Sequence, residues 1–353
     1  MDEDKGDIRM KVDFKDIAKD LLYYTGISRS LLWILRISGC SMWLIFTYHR
    51  VSGDSRNNGY LSIPDYLFEQ HVRFIKHNFK VVSMLDGLET LQQGNSKDIY
   101  ATINLDDGYM DNYLYAYPIL KKYHVPATVF LATDFIGKRH IFWWDRVFRV
   151  VSSRRVNSIE FHMDSKKMRF SLDGMQKRFF VTNRINSFLK TKSEKEREIF
   201  IKDLEKSYPP VQDTVPAVML GWDEIKKMMG GYISFGAHTK THRDLRTLDD
   251  EEVLEELRGS KKEIEKRLGT EIAGFSYPFG VFDERVKALA EKAGFKYART
   301  TVQGFNHSGT DRFLLINITV GGPNVKLSFL ASRISARLLK IGWILLYRTG
   351  KKR

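Results

Sequence analysis

Cysteine is nearly absent from this 353-residue chain, with Cys40 standing alone. That excludes an intrachain disulfide framework and a thiolate metal cage. Long apolar runs are missing too. The most apolar early stretch, Leu31 to Tyr48, is interrupted by Arg36, Gly39 and Ser41, whereas a membrane span needs about 20 mostly apolar residues. The first residues, Met1-Asp2-Glu3-Asp4, are acidic where a secretory leader is basic. No helix-turn-helix, zinc-finger or RNP-like stretch occurs, so nucleic acid is not an expected partner. The expectation is a cytoplasmic protein without signal peptide or transmembrane span.

What is present is an ordinary globular composition, 43% hydrophobic and 28% charged, which excludes a disordered or collagen-like chain. The length fits two domains or one large barrel. The formal charge of +14 is concentrated. Arg146 to Lys206 holds 16 basic and 8 acidic residues, Lys326 to Arg353 holds 8 basic and no acidic ones, and the rest is close to neutral. In the final stretch Leu327, Leu330, Ile334, Leu338, Ile341 and Leu345 form one apolar stripe flanked by Lys326, Arg333, Arg337 and Lys340. That is the pattern of a basic interfacial helix, which makes an anionic membrane surface on the cytoplasmic face a candidate partner. A terminal helix packed on the body, with its charges solvated, fits the same pattern.

Strand and helix signals alternate along the chain. Candidate strands are Leu44–Tyr48, Lys80–Ser83, Ala101–Leu105, Ala127–Ala132, Tyr232–Gly236, Ile272–Ser276, Lys296–Thr300 and Leu315–Val320, each a short apolar run between polar, Gly or Pro residues. Helices with legible ends lie between them: Asp65 to His77, Asp111 to Tyr123, Asp283 to Ala293, and one that starts at Asp249-Asp250-Glu251-Glu252 and ends at Lys266-Arg267 before Gly269. Such alternation implies a parallel sheet, open or closed. The rhythm breaks between about 143 and 215, where an apparent hairpin (Ser158–Phe161 and Met168–Leu172) precedes a charged helix ending before Pro209-Pro210. This reads as an insertion. The expected organisation is a helical lead-in over 1–40, a barrel over 41–325 carrying the insertion, and the basic tail over 326–353.

Three motifs follow directly on strands. Asn104-Leu105-Asp106-Asp107-Gly108-Tyr109 places two aspartates where a strand ends, and only a turn there lets both serve one site. His238-Thr239-Lys240-Thr241-His242 spaces two histidines four apart, on one side of a helical or tightly turned segment, a common zinc-ligand spacing. Phe275-Ser276-Tyr277-Pro278-Phe279-Gly280 ends a third strand in a loop that can aim a backbone N–H at an oxyanion. Taken singly, each is also an ordinary turn or loop. Together they sit where a parallel barrel collects its active site.

With Tyr48-His49-Arg50-Val51, Pro126-Ala127-Thr128-Val129-Phe130 and Trp143-Trp144-Asp145, these motifs resemble the polysaccharide deacetylases of carbohydrate esterase family 4 from about Phe46 to Val320. The resemblance implies a distorted (β/α)7–8 barrel and removal of the N-acetyl group from an N-acetylhexosamine in a glycan or glycan precursor. It implies Asp106 as general base, Asp107, His238 and His242 as ligands of a divalent ion, expected to be zinc, and Phe279 with Tyr277 at the oxyanion and substrate. The chain departs from the family in five places, two of them mild, with Asn104 where a Thr is usual and Leu105 where a Phe is. Ser276 stands where many members carry an Arg that orients the base, Phe279 replaces a Tyr, and the late Leu-x-His motif that supplies the acid is missing around Leu314-Leu315-Ile316-Asn317. Some relatives have permuted motifs with the acid histidine near the N-terminus, which points to His49, with His307 as its rival. The other readings are a non-catalytic, metal-containing carbohydrate-binding protein and a related O-acetyl esterase or cyclic imidase.

Overall fold

The computed structural model describes residues 42–53, 59–93, 98–164, 166–210, 218–229 and 232–322. The expected lead-in (1–40) and basic tail (326–353) lie outside the described residues. In chain order the strands are β1 (Met42–Tyr48), β2 (Arg50–Ser52), β3 (Ser62–Pro64), β4 (Lys80–Val81), β5 (Ile99–Leu105), β6 (Ala127–Leu131), β7 (Ser158–Met163), β8 (Lys166–Ser171), β9 (Ile233–Ala237), β10 (Gly274–Ser276), β11 (Tyr297–Gln303) and β12 (Leu315–Thr319). The helices are α1 (Asp65–Asn78), α2 (Met84–Gln93), α3 (Tyr117–Lys122), α4 (Trp143–Ser152), α5 (Gly174–Leu189), α6 (Glu194–Ser207), α7 (Trp222–Met229), α8 (Asp250–Leu268) and α9 (Glu284–Lys292).

Seven parallel strands close a barrel in the order β1-β12-β11-β10-β9-β6-β5, and β1 pairs back onto β5 from Met42↔Ile99 to Tyr48↔Leu105. The strand signals read from the sequence correspond to β1, β4, β5, β6 and β9 to β12, so the expected distorted barrel is the fold. Both faces of β1 and β5 are buried along their whole length, which explains why these strands are nearly continuous apolar runs. Along β1, Met42, Leu44, Phe46 and Tyr48 pack outward with Phe68, Val72 and Ile75 of α1. Trp43 and Ile45 alternate inward with Tyr100, Phe130, Tyr297 and Leu315. Helix α2 plugs the mouth at the strands' N-terminal ends with Met84, Leu88 and Leu91. A Cβ at Gly87 would fall 2.4 Å from the Trp43 indole, so this close approach requires glycine.

Above the apolar floor the barrel interior turns polar. Thr47, Thr102, Asn104, Arg299 and Asn317 are all fully buried there. Trp43 Nε1 donates to Thr102 Oγ1 at 2.8 Å and Asn317 Nδ2 to Thr47 Oγ1 at 3.0 Å. Buried polar groups of this kind persist only when paired.

The inserted segment has its own small core, in which Val147, Val150, Ile159, Ile185, Leu189 and Ile201 are fully buried. The hairpin forms as β7 and β8, antiparallel. The single charged helix expected after it is instead two, α5 and α6. They divide at Ser193, whose side chain and that of Glu196 make a capping box that starts a new helix. The helix expected from Asp111 opens as a π turn, Asn112–Ala116, before α3. Among the described residues no helix is long and apolar enough to cross a membrane.

Buried Arg178 of α5 closes the end of α4, donating to the carbonyls of Val151 (2.6 Å), Ser153 (2.8 Å) and Val156 (3.0 Å). The first two lie at the helix C-terminus, where carbonyls lack an internal partner, and the third in the loop that follows. Arg178→Ala is therefore expected to lower stability by about 1.5–3 kcal/mol, the usual range for losing hydrogen bonds to a charged group. The urea midpoint should fall while the far-UV spectrum keeps its native shape.

Candidate active site

The inward row of β5, Tyr100, Thr102 and Asn104, continues by strand parity to Asp106. Asp107 would then point outward. Instead the chain turns left-handed at Asp107 (φ 74°) and Gly108 (φ 79°), a conformation that Gly and Asp tolerate better than most residues. Both carboxylates thereby reach the same barrel mouth, buried to 2% and 1% exposure.

The two histidines meet through a turn and not a helix, with Thr239 at φ 65° and His242 at φ 57°. For a β-branched residue such a φ needs outside support. Glu256 of α8 supplies it, accepting from the backbone N–H groups of Lys240 (2.8 Å) and Thr241 (2.9 Å) and from Thr241 Oγ1 (2.5 Å). Thr239 Oγ1 accepts from the His242 N–H at 2.9 Å. His238 Nδ1 lies 2.7 Å from the Ser276 carbonyl. A carbonyl only accepts, so Nδ1 carries the proton and Nε2 presents its lone pair to the site.

His238 Nε2 and His242 Nε2 each lie 3.4 Å from Asp107 Oδ1, and the three donor atoms fall within 4.8 Å of one another. Tetrahedral zinc bonds of about 2.1 Å give donor–donor edges of roughly 3.4 Å. The second Asp107 oxygen, Oδ2, is buried without a hydrogen-bond partner. The donor set and its spacing therefore fit a divalent ion, and this Asp/His/His group is a possible metal site. Burial pushes the Asp107 carboxyl up, but the two imidazoles outweigh it and hold the group far below the usual carboxylate range.

Ser276 does stand where an orienting Arg was expected, but the guanidinium comes from elsewhere. Arg299, on the inward face of β11, crosses the barrel interior to donate to Asp106 Oδ2 and, at 2.7 Å, to Ser276 Oγ. Asp106 Oδ1 is left buried without a partner. His49 Nε2 lies 4.0 Å from Asp106 Oδ2, and His49 lines the same cleft. Its rival does not. His307 is exposed, its Nδ1 accepting from the Gly309 N–H, and the adjoining Asn306 pairs with Trp43 at the opposite end of β1.

The main chain at His49 is held by its neighbours. Asn112 Nδ2 donates to the His49 carbonyl at 2.9 Å. Arg50 donates to Asp111 Oδ2 at 2.8 Å, lies 3.5 Å from Asp145 Oδ2, and sits 4.3 Å over the Tyr109 ring. Tyr109 donates to Asp145 at 2.8 Å and accepts from Trp144 Nε1 at 3.0 Å. Burial pushes the Asp145 carboxyl up to about 6, against the pull of Arg50 and Tyr109. This network ties the Tyr-His-Arg-Val, Asp-Asp-Gly-Tyr and Trp-Trp-Asp stretches together.

The cleft has a volume of about 280 Å³. Trp144 lies 4.9 Å from the His242 ring, and Phe279 meets that ring edge-on at 4.7 Å. Phe279 takes φ 57°, and its carbonyl accepts from Thr301 Oγ1 at 3.2 Å. Tyr277 contributes to the lining, but its ring is 1% exposed and packs on Phe275 and Phe282. Sequence reasoning missed Arg299, Glu256 and the Arg50 network. A signal existed for Arg299, a lone charge inside a buried strand, since buried charges are paired.

The family model for polysaccharide deacetylase matches residues 93–298. The putative polysaccharide deacetylase YxkH of Bacillus subtilis (strain 168) is 23% identical over 262 residues, covering 74% of this chain and 64% of that protein. The poly-beta-1,6-N-acetyl-D-glucosamine N-deacetylase of Staphylococcus epidermidis is 32% identical over 109 residues, covering 27% of this chain and 37% of that one. The chain thus spans less than two thirds of the length of either relative. Among solved structures, the Streptococcus pyogenes deacetylase PplD in complex with acetate superposes with a TM-score of 0.56 at 18% identity, over 84% of this chain and 98% of that one. IcaB from Ammonifex degensii gives 0.54 at 17% identity, over 84% and 97%. At these identities the structural likeness speaks for the fold.

If Asp107, His238 and His242 are the ligands, His238→Ala should abolish stoichiometric binding of a divalent ion while the barrel still folds. Elemental analysis of the purified variant checks this, and full metal content would refute the ligand set.

Proposed function

Since the chain belongs to the polysaccharide deacetylase family, we propose that it hydrolyses the acetamide of an N-acetylhexosamine in a glycan or glycan precursor, with a divalent metal held by Asp107, His238 and His242. One observation carries this reading. A three-donor ligand set, a carboxylate gripped by a buried arginine, and a histidine converge on one aromatic-walled cleft. A sugar-binding module would have use for the ligand set, but none for Asp106 held between Arg299 and His49. The N-deacetylase among the relatives favours an acetamide over an O-acetyl ester or a cyclic imide.

When bound, the ion supplies Lewis acidity and brings the pKa of water down toward ~7, and zinc suits two imidazoles and a carboxylate with positions left open. The chain's own groups do the rest. Asp106 accepts the proton of the attacking water on Oδ1, the oxygen without a partner, while Arg299 keeps Oδ2 fixed. The hydroxyl adds to the acetamide carbon, and the Phe279 main-chain N–H stabilises the oxyanion. As the C–N bond breaks, His49 gives a proton to the nitrogen, because expelling an amide anion in water is prohibitively costly. Acetate and a free amine result.

Acetate release from free, nucleotide-linked, lipid-linked and polymeric N-acetylhexosamines, with metal present and an O-acetylated control, tests the reaction class. No acetate from any of them, or release from the ester alone, would overturn it. Asp106→Asn is expected to keep the metal and lose ~10²-fold or more in kcat, the scale of removing a general base. Metal loss that tracks the rate would make Asp106 a ligand instead. His49→Ala should show the same split, with metal retained and kcat reduced ~10²-fold or more. His307→Ala should stay near wild type, and the reverse result would move the acid to His307.

A further inference from the structure

A second cavity, of about 580 Å³, opens beside the catalytic cleft between the inserted segment and the loop after β9. The two share Trp143, Trp144, Lys190 and His242 in their walls, so they adjoin. Most cations lining the second cavity are neutralised. Arg146 meets Glu198 and Glu205, Lys192 meets Asp164, and Arg243 meets Glu194 and Glu252. Among the described residues Lys190 and Arg197 make no ion pair within 4.0 Å, although Glu194 and Asp244, which line the same cavity, lie near enough to Arg197 to act on its charge.

These two cations flank an aromatic pair, Trp143 in the walls of both cavities and Phe279 in that of the cleft. The Lys190 amine stands 5.6 Å from the Phe279 ring centre, the Arg197 guanidinium 4.9 Å from that of Trp143, and the two rings are 6.0 Å apart. The Phe279 ring is thus a neighbour of both the Lys190 amine and His242. Arg197 is held in place by donating to the carbonyls of Leu189 (3.3 Å) and Lys192 (3.2 Å). A lysine at the C-terminus of α5 also complements the helix dipole, but that role needs no position beside the cleft.

One turn before Lys190, Asn186 faces the catalytic cleft, 2% exposed, with neither Oδ1 nor Nδ2 hydrogen-bonded. The Tyr60 hydroxyl, close enough to Asn186 for the two side chains to interact, donates to Asn183. An unsatisfied buried amide is costly, and a sugar hydroxyl, at once donor and acceptor, answers it. A face of the insertion thus offers a hydroxyl reader followed by two cations.

Resting on the deacetylase reading, we propose that the insertion builds an anion subsite. The substrate N-acetylhexosamine carries an oxyanion substituent, a phosphate or a carboxylate, near the acetamide-bearing ring, and Lys190 and Arg197 bind it. The test compares three N-acetylhexosamine oligosaccharides of equal length, one neutral, one phosphorylated and one bearing a uronate. They are assayed with metal-loaded wild type and the Lys190→Ala/Arg197→Ala double variant. The wild type is expected to favour the phosphorylated or the uronate form, or both, by roughly tenfold or more in kcat/KM, the scale of one charge-assisted contact. Which form is favoured identifies the anion. The preference should shrink as ionic strength rises and collapse in the double variant. Equal kcat/KM for all three in wild type, or a preference that survives the double substitution, overturns the subsite. Absence of acetate from every substrate would instead be a failure of the deacetylase reading. Equilibrium binding of the same three oligosaccharides then decides the subsite, and equal affinities refute it.

Discussion

A guanidinium with no solvent exposure inside a barrel can exist only where an anion meets it, and the meeting of Arg299 with Asp106 governs the site. Removing either partner would leave the other charge buried and unpaired, typically a loss of about 3–5 kcal/mol. The pair joins β11 to the end of β5 across the barrel interior, so it fixes the height and orientation of the Asp106 carboxylate. Its influence extends through Ser276. That residue accepts from Arg299 through its hydroxyl, while its carbonyl accepts from the His238 Nδ1–H. One residue thus braces both the arginine that grips Asp106 and the His238 imidazole.

Strain collects at the same mouth. Asp107, Thr239, His242 and Phe279 all adopt left-handed backbone, a conformation that costs of order 1–3 kcal/mol per non-glycine residue and persists only under external constraint. The constraints are visible: Gly108 beside Asp107, the Glu256 clamp on the histidine turn, and Thr301 on the Phe279 carbonyl. Side chains that would diverge along regular strands are turned onto one point. The closed sheet beneath, buried on both faces, is the rigid part against which this strain is held.

The insertion gives a general barrel its particular cleft. Its first helix carries Trp143 and Trp144 onto the ligand set, and Asp145 of the same turn enters the Arg50 and Tyr109 network. Helix α5 adds Asn186 and leads to Lys190. Of the positive charges concentrated over residues 146–206, Arg146 and Lys192 are held in ion pairs beside the second cavity, while Lys190 and Arg197 line it without one.

The sequence alone determined the strand and helix rhythm, because burial on both faces writes each strand as a short apolar run and helix ends carry their own caps and charges. It also determined which residues follow strands, and hence the grouping of Asp106, Asp107, His238, His242 and His49 at one mouth. Local signals could not decide whether α5 and α6 were one helix or two, since a capping box within a charged stretch reads as continuous polarity. They could not supply the partner of Asp106 either. Arg299 lies 193 residues away, and only barrel closure brings β11 opposite β5. The same closure placed His307 at the far end and His49 at the site, a choice made by the direction in which each strand runs.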